Sequence, residues 1–242
     1  MNINMDILEL SIILPTYNER QNIGIIIPKI EDVLKDIKHE IIVVDDNSPD
    51  DTAGCVLELN KKYGNIRLIT RLSKNGIGSA LREGYRHAKG DIILSSDADL
   101  SFPVEDMIKL VKGIQDGNDL VLGCRHKITG SYYEIKGVRT VIKGFISRLG
   151  NVILCALSRT GVHDFSANFR AIKKTTWNEL DIKENTNIML FETIIKAKFK
   201  GMKIAEIPVS FNDRIYGKSK LKLSIEIPKF ILKIGYYLLK YR

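Results

Sequence analysis

Short apolar runs alternate with amphipathic segments through the first half of this chain, and that alternation limits the possible folds more than any other feature. The apolar runs occupy residues 11–14, 40–44, 65–70, 91–94 and 119–123. The segments between them carry apolar residues at helical spacing, beginning with a helix over residues 22–37 that Asn22 would cap. Strands that alternate with helices predict an α/β fold with a doubly wound, mostly parallel sheet flanked by helices.

The second half of the chain is less regular, but four elements can be predicted. Apolar residues recur at helical spacing over residues 136–157 and 187–199. Short apolar runs at residues 169–172 and 203–211 indicate strands, and Pro208 places the second of these at a sheet edge.

The C-terminal residues 221–242 follow a main domain that we place over residues 1–220. They form an amphipathic helical appendage with a basic stripe of Lys229, Lys233 and Lys240. Such a helix fits a membrane interface, and it fits equally well docking on its own domain or on a partner subunit. No apolar stretch predicts a transmembrane helix, and the N-terminal residues lack the order of a signal peptide.

Polar residues follow the apolar runs at the points where the predicted strands end. Asp97 and Asp99 come one residue apart after the fourth run. The loops after the first, second and fifth runs add an aromatic residue, two acids and a basic residue: Tyr17, Glu19, Asp46 and Arg125. Because the carboxyl ends of parallel strands meet at one edge of a sheet, we expect these residues to line a ligand site there. Paired carboxylates suit Mg²⁺ or Mn²⁺ with phosphate oxygens completing the shell, which favours a nucleotide diphosphate as the ligand.

The formal charge of +8, from 37 basic and 29 acidic residues, indicates acidic partners. Nucleic acid is disfavoured because the basic residues are dispersed among acids. Cys55, Cys124 and Cys155 show no paired spacing, which argues for a reducing compartment and against a zinc site or a disulfide framework. We expect packing or solvent roles for the four histidines, and only His163, beside Asp164, lies near a candidate site residue.

Gly76 and Gly78 open a helix that we predict to extend to about His87. The two glycines permit the close approach of a ligand, but they match no complete dinucleotide or P-loop fingerprint. A plain glycine-rich turn is an equally good interpretation.

Four motifs occur in order along the chain: PTYNE at residues 15–19, VDDNS at 44–48, DAD at 97–99 and RIYGKSK at 214–220. In this order and spacing they resemble the dolichol-phosphate mannosyltransferases, which belong to the family-2 inverting glycosyltransferases of GT-A fold. The resemblance extends over about residues 9–225, so it is more specific than any single motif.

The resemblance implies a role for each matching residue. Five residues match positions that hold the base and ribose of the donor: Pro15, Tyr17, Glu19, Val44 and Asp46. The triplet Asp97, Ala98 and Asp99 matches the positions that bind the metal ion and the sugar phosphate. Four basic residues match those that bracket the donor pyrophosphate and the acceptor phosphate: Arg125, Arg139, Arg214 and Lys220. The implied catalytic residues are Asp97, Asp99, Arg125 and Arg214.

The chain departs from the family pattern at two of its motifs. Ser101 stands where close relatives usually have glutamine as a further metal ligand, and serine is a shorter ligand. Residues 164–169 end in Ala-Asn-Phe where Ser-Gly-Phe is usual, which bears on the choice of donor or acceptor.

The reaction implied by the resemblance is inverting transfer of mannose from GDP-mannose to a polyprenyl phosphate, assisted by Mg²⁺ or Mn²⁺. UDP-glucose or another nucleotide sugar, and another glycan acceptor, are the nearest alternatives. A sugar nucleotidyltransferase is disfavoured because the loop after the first strand is not a glycine-rich, basic phosphate loop. A non-catalytic membrane-associated subunit stays open because of Ser101 and the basic tail. We expect a cytoplasmic protein, peripheral to the cytoplasmic face of the membrane that would hold a lipid acceptor, with or without a membrane-bound subunit.

Overall fold

The computed structural model describes residues 9–125, 132–133, 138–212, 214, 216 and 223–241, with the backbone only for residues 132–133, 138–147 and 223–229. The strands in this part of the chain are β1 (Leu10–Thr16), β2 (His39–Asp45), β3 (Ile66–Thr70), β4 (Ile92–Ser95), β5 (Leu120–Cys124), β6 (Tyr132–Tyr133), β7 (Arg170–Lys173), β8 (Ile204–Pro208) and β9 (Ser210–Phe211). The helices are α1 (Arg20–Val33), α2 (Thr52–Tyr63), α3 (Ile77–His87), α4 (Asp106–Gln115), α5 (Val138–Ser158), α6 (Lys174–Leu180), α7 (Ile188–Phe199) and α8 (Leu223–Lys240). Among these helices, none combines the length and the apolar character that crossing a bilayer requires.

Seven strands form one sheet in the order β3-β2-β1-β4-β7-β5-β8. Paired strands are parallel except where β7 runs antiparallel between β4 and β5. The predicted doubly wound, mostly parallel sheet is therefore confirmed. Because β2 and β4 lie on opposite sides of β1, the order of the strands reverses at β1, and a crevice opens there at the carboxyl ends. The single edge strand predicted over residues 203–211 is instead split, since β9 leaves the sheet to pair with β6.

Successive residues of the central strands point to opposite faces of the sheet, and each face buries one apolar cluster. Ile12 and Leu14 belong to the first core cluster, which α1, α2 and α4 cover. Ile13 belongs to the second core cluster, which receives apolar residues from α3, α5, α6, α7 and α8. This two-sided burial explains why the strands read as continuous apolar runs.

Helix α1 begins at Arg20, so the prediction that Asn22 caps it was wrong. The loop after β2 supplies acceptors at the start of the helix: Glu19 N donates to Thr52 Oγ1 (3.1 Å) and Arg20 N donates to Asp50 Oδ2 (3.1 Å). Asn22 is instead buried within the helix, and its Nδ2 donates to Glu19 Oε2 (2.6 Å). These bonds hold the loops after β1 and β2 together.

Gly76 and Gly78 lie against the backbone of the chain itself. A Cβ on Gly78 would stand 2.3 Å from the carbonyl oxygen of Thr186, and one on Gly76 would stand 2.4 Å from that of Asn185. Gly76 also has a φ of 91°, a conformation that favours glycine. Of the two interpretations, the glycine-rich turn describes this segment.

Gly78→Ala is therefore expected to destabilise the fold by about 1–3 kcal/mol, because the methyl group would meet backbone that cannot turn aside. Gly150→Ala in α5 is the matched control, since nothing lies within 4 Å of the added Cβ. Alanine there should stabilise the helix by about 0.5–1 kcal/mol. Urea unfolding measures both variants, and equal stabilities would contradict the close approach at Gly78.

Helix α8 docks on its own domain through one face. Ile234 and Tyr237 are buried in the second core cluster, and the Tyr237 ring packs edge to face on Phe191 at a centroid distance of 6.5 Å. Lys233 Nζ and Tyr237 Oη both donate to Glu184 Oε1, at 2.7 and 3.0 Å. The inner face of α8 therefore docks on the chain's own domain, which was one of the predicted locations of the tail.

Candidate active site

Asp45 joins the loops that follow β1 and β2. Its Oδ1 accepts hydrogen bonds from Thr16 Oγ1 (2.9 Å) and Ser48 Oγ (2.5 Å), and its Oδ2 accepts one from Ser48 N (2.8 Å). Ser48 Oγ in turn accepts a hydrogen bond from Asn18 N (2.9 Å). These contacts join Thr16 and Asn18, which flank Tyr17, to Asp45 and Ser48, which flank Asp46 and Asn47, so the two loops that carry Tyr17 and Asp46 are held together.

Pro15 and Val44 lie opposite each other in the register of β1 and β2. The Val44 side chain is fully buried in the second core cluster, so a ligand can meet this residue only through its backbone. Glu19 stands at the start of α1, where Asn22 holds one of its carboxylate oxygens.

Asp46 is buried and forms an ion pair with Arg71. Arg71 Nε donates to Asp46 Oδ1 (2.6 Å), and Arg71 Nη1 donates to Ser79 Oγ (2.6 Å). Burial raises the pKa of Asp46, and Arg71 offsets part of the rise. Lys74 Nζ lies 4.4 Å from the centre of the Tyr17 ring. The edge of β1, β2 and β3 thus offers an aromatic ring, an oriented carboxylate and two cations.

Asp99 lies beyond the end of β4 and is buried. Its Oδ1 accepts hydrogen bonds from Ser101 N (3.1 Å) and Ser101 Oγ (2.5 Å), and its Oδ2 pairs with Arg214 Nε at 2.9 Å. Ala98 is buried in the first core cluster between the two carboxylates. The structure thus brings Asp97, Asp99 and Arg214 together, as the motifs predict.

A chain of hydrogen bonds runs from the second core cluster to Asp97. Tyr85 Oη donates to Ser95 Oγ (2.8 Å), Ser95 Oγ donates to Asn168 Oδ1 (2.9 Å), and Asn168 Nδ2 donates to Asp97 Oδ1 (3.1 Å). Burial and the charge of Asp99 raise the pKa of Asp97 to about 6, against the lowering effects of Asn168, Arg214 and Arg125. The Ala-Asn-Phe departure therefore provides a hydrogen-bond donor, Asn168 Nδ2, to Asp97, which is a predicted catalytic residue.

Arg125 follows β5 and is clamped by Asp164. Arg125 Nε donates to Asp164 Oδ2 (2.7 Å) and Arg125 Nη2 donates to Asp164 Oδ1 (2.9 Å), which is bidentate geometry. Asn151 Nδ2 also donates to Asp164 Oδ1 (3.2 Å). The guanidinium lies over the Phe211 ring, 5.1 Å from its centre. Asp164 thus fixes the orientation of Arg125.

Glu206 of β8 holds the backbone of the turn that carries Asp164. Its Oε1 accepts hydrogen bonds from the backbone N–H groups of His163 (2.8 Å) and Asp164 (2.9 Å), and its Oε2 lies 2.7 Å from His163 Nδ1. His163 is therefore engaged in holding the turn before Asp164.

The carboxylate pair fits a divalent cation whose shell a phosphate ligand completes. The charge of Asp99 already raises the pKa of Asp97, and a cation held by both carboxylates would relieve that repulsion. Within the described ranges, no group of three or more His, Cys, Asp and Glu side chains could hold a metal ion. Two carboxylates supply part of a shell that phosphate oxygens and water can complete, as is usual for Mg²⁺ at phosphate sites. Ser101 Oγ donates to Asp99 here, so its predicted role as a metal ligand stays a prediction.

Asn168→Ala is expected to weaken Mn²⁺ binding by about 10- to 100-fold, because residues that orient metal ligands typically have effects of this size. Electron paramagnetic resonance of free Mn²⁺ measures the affinity without any reaction. Tyr85→Phe removes only the far end of the same chain of hydrogen bonds and should have a smaller effect. Unchanged Mn²⁺ affinity in Asn168→Ala would show that Asp97 needs no such support.

Arg71 was missed as a site residue, and Asn168 was noted only as part of the Ala-Asn-Phe departure. Arg71 directly follows β3, so the rule that ligands bind at the carboxyl ends of parallel strands would have included it. The departure marked Asn168, but its contact with Asp97 had no local signal, because Asn168 reaches Asp97 only through the antiparallel insertion of β7. Arg139 lies in the first part of α5, residues 138–147, where only the backbone is described, and Lys220 lies outside the described residues. Their predicted phosphate contacts stay predictions.

Comparison with known proteins agrees with this geometry. Residues 11–180 match the family model described as glycosyl transferase family 2. A dolichol-phosphate mannosyltransferase of Pyrococcus furiosus is 33% identical over 215 residues, which is 89% of this chain and 60% of that protein. A polyprenol monophosphomannose synthase of Mycolicibacterium smegmatis is 29% identical over 222 residues, covering 87% of this chain and 80% of that protein. The chain therefore spans only about 60% of the length of the Pyrococcus relative.

Solved structures share the fold. Glucosyl-3-phosphoglycerate synthase from Mycobacterium tuberculosis, in complex with Mn²⁺, uridine diphosphate and glucosyl-3-phosphoglycerate, superposes with a TM-score of 0.69. The match covers 97% of this chain and 80% of that chain at 20% sequence identity. At this identity the likeness shows the fold alone, and it confirms the GT-A architecture.

Proposed function

Because the chain belongs to glycosyl transferase family 2, we propose that it transfers mannose from GDP-mannose to a polyprenyl phosphate of the dolichyl type, with inversion at the anomeric carbon. The names of the Pyrococcus and Mycolicibacterium relatives support this sugar and this class of acceptor. The observation that carries the proposal is the Asp97–Asp99 pair at the switch point of the sheet, with Arg125 and Arg214 close enough to lower the pKa of Asp97.

The loops after β1, β2 and β3 would hold the nucleoside. The Tyr17 ring offers a stacking surface, and Asp46, oriented by Arg71, offers an acceptor for N–H groups of the base. Pro15 and Glu19 border the same edge and would contact the ribose. This arrangement recognises the donor by its nucleoside and leaves the diphosphate to extend towards Asp97 and Asp99.

The reaction breaks the bond from the anomeric carbon to the diphosphate oxygen while an acceptor phosphate oxygen bonds to the opposite face of that carbon. The electron pair of the broken bond leaves with GDP, so the protein must stabilise developing negative charge. Arg214 at Asp99 and Arg125, fixed by Asp164, would supply oriented cations, an effect worth roughly 3–4 kcal/mol for a single well-placed donor. Mg²⁺ or Mn²⁺ held by Asp97 and Asp99 would neutralise further charge on the diphosphate.

The acceptor needs no strong general base. A phosphate monoester has a second pKa of about 6, so it carries a nucleophilic oxygen anion at neutral pH. This agrees with the engagement of His163 Nδ1 by the Glu206 carboxylate. A lipid acceptor would bring the protein to a membrane surface, which we propose to be the cytoplasmic face, alone or beside a membrane-bound subunit.

Nucleotide binding tests the donor assignment. Calorimetric titration with GDP, GDP-mannose, UDP and UDP-glucose in the presence of Mn²⁺ should give the tightest binding for the two guanosine ligands. Asp46→Asn should weaken the binding of all four ligands. Asp91→Asn should leave all four affinities unchanged, because Asp91 is exposed and precedes β4, at the end of the strand opposite the site. Tighter binding of the uridine pair would overturn GDP-mannose as the donor.

A further inference from the structure

The irregular segment that joins α6 to α7 is held by side chains of three different helices. We call residues 181–187 the α6–α7 linker. Glu192 of α7 is fully buried, and its Oε2 accepts hydrogen bonds from the backbone N–H groups of Lys183 (3.1 Å) and Glu184 (2.9 Å). Lys196 Nζ pairs with the same carboxylate at 2.7 Å. A buried ion pair of α7 thus holds the backbone of the linker.

The α6–α7 linker also holds the start of α3. The carbonyl oxygen of Asn185 accepts a hydrogen bond from Ser79 N (2.9 Å), and Asn185 Oδ1 accepts one from Arg82 Nη1 (2.8 Å). Backbone of the linker also fills the space that side chains at Gly76 and Gly78 would need. The linker therefore sets the position of the turn that opens α3.

This turn orients Arg71 at the nucleoside end of the candidate site. Arg71 Nη1 donates to Ser79 Oγ (2.6 Å), and Arg71 Nη2 lies 3.5 Å from the carbonyl oxygen of Gly76. Arg71 Nε donates to Asp46 Oδ1 (2.6 Å), on the carboxylate that we assign to the base of the donor. A displacement of the turn would therefore reach Asp46 through one guanidinium group.

Helix α8 holds the opposite side of the α6–α7 linker. Lys233 Nζ and Tyr237 Oη both donate to Glu184 Oε1, at 2.7 and 3.0 Å. The Glu184 side chain is only 12% exposed, and Tyr237 is buried in the second core cluster. Glu184 is thus held by α8 through its side chain and by α7 through its backbone.

We propose that Glu184 is a positioning residue for nucleoside binding, through which α8 acts on the donor site. While Lys233 and Tyr237 hold Glu184, the linker keeps the α3 turn in place, and the turn aims Arg71 and Asp46 at the base. Chains of hydrogen bonds and packed backbone of this kind carry energetic coupling between separate parts of a protein. The inference rests on the proposed function for one point, that Asp46 receives the base.

Nucleotide titration of the full chain with Mn²⁺ tests the proposal. Lys233→Met/Tyr237→Phe removes both α8 donors to Glu184 and keeps the ring of residue 237 in the core. GDP should bind about three- to tenfold more weakly, within the usual range for mutations along a coupled chain. Pyrophosphate has no base, so its affinity should not change. Lys240→Met/Tyr236→Phe is the matched control, because the hydrogen bond from Lys240 Nζ to Tyr236 Oη (3.0 Å) stays within α8.

A double-mutant cycle shows whether the effect passes through Arg71. Ser79→Ala removes the hydroxyl that holds Arg71 and should weaken GDP binding by itself. In the Ser79→Ala background, the two changes in α8 should therefore weaken GDP binding less than they do in the parent protein. A merely structural role of Glu184 predicts full additivity in this cycle.

Unchanged GDP affinity in Lys233→Met/Tyr237→Phe, or an equal loss in the matched control, would overturn the proposal. Equal losses for GDP and pyrophosphate, or full additivity with Ser79→Ala, would overturn it too. Should the double variant fail to fold, Lys233→Met alone should still weaken GDP binding, because the Lys233 side chain is 52% exposed and lies outside the core. Titration of the parent with GDP and UDP identifies the preferred base, and the cycle uses that nucleotide, so a wrong donor assignment does not decide this test.

Discussion

An Asp97→Asn variant is expected to be more stable than the parent protein above neutral pH and to lose nearly all activity. In the folded protein the pKa of Asp97 is raised to about 6 from an ordinary value of 3.8. Between these values the folded protein keeps a proton that the unfolded chain releases, so stability falls as the pH rises through this window. At about 1.4 kcal/mol per pH unit, the loss is about 3 kcal/mol once the pH exceeds 6.

Asparagine does not ionise, so the variant escapes this loss while keeping an oxygen for the Asn168 hydrogen bond. Thermal unfolding in EDTA should show the variant melting higher by roughly 5–10 °C above neutral pH, with the gap closing towards pH 4. Activity should fall by about 10²–10³-fold, because one of the two charges facing the diphosphate is gone. Asp91→Asn should change neither quantity. A variant that is less stable than the parent above pH 6 would contradict the electrostatic strain assigned to the pair.

Arg125→Ala is expected to cost about 3–5 kcal/mol of stability, the usual result of leaving a buried charge without its partner. Asp164 is fully buried, and the variant would remove its bidentate partner while leaving the hydrogen bond from Asn151 Nδ2 and the electrostatic attraction of Arg170. Urea unfolding measures the loss. Arg148→Ala is the matched control, because Arg148 is exposed and its removal should change stability by less than about 0.5 kcal/mol.

The double variant Arg125→Ala/Asp164→Asn separates this effect from general damage. Neutralising Asp164 removes the buried charge that has lost its bidentate partner, so the double variant should be more stable than Arg125→Ala alone. Its activity should stay low, since the cation proposed to face the diphosphate is absent. A double variant less stable than Arg125→Ala would mean that the clamp matters for packing and not for charge.

The central sheet and its edge were predictable because local chemistry determines them. Each central strand is buried on both faces and therefore shows a continuous apolar run. The polar residues that follow these runs lie at the carboxyl ends of parallel strands, where ligands bind. The helix over residues 187–199 was also readable, although its burial on most sides left only a weak amphipathic pattern. Periodicity and turn chemistry suffice for such elements.

Other features depend on contacts between distant parts of the chain. The antiparallel position of β7 between β4 and β5 has no local signal, and it alone brings Asn168 to Asp97. The start of α1 was misplaced because its acceptors are Asp50, in the loop after β2, and Thr52, the first residue of α2. The reason for glycine at positions 76 and 78 lies in the backbone of residues 185–186, which is distant in sequence and packs against both positions. The tail showed one amphipathic pattern in sequence, but its helix has an inner face in the core and a separate outer apolar face.

Identification of the lipid product tests the proposed reaction most directly. The full chain would be incubated with GDP-mannose, Mn²⁺ and a short-chain polyprenyl phosphate, and the product analysed by mass spectrometry and NMR. Because the mannose of GDP-mannose is α-linked, inversion predicts a β-linked mannosyl phosphate lipid and release of one GDP for each lipid formed. An α-linked product, or consumption of another nucleotide sugar with GDP-mannose left intact, would contradict the proposal.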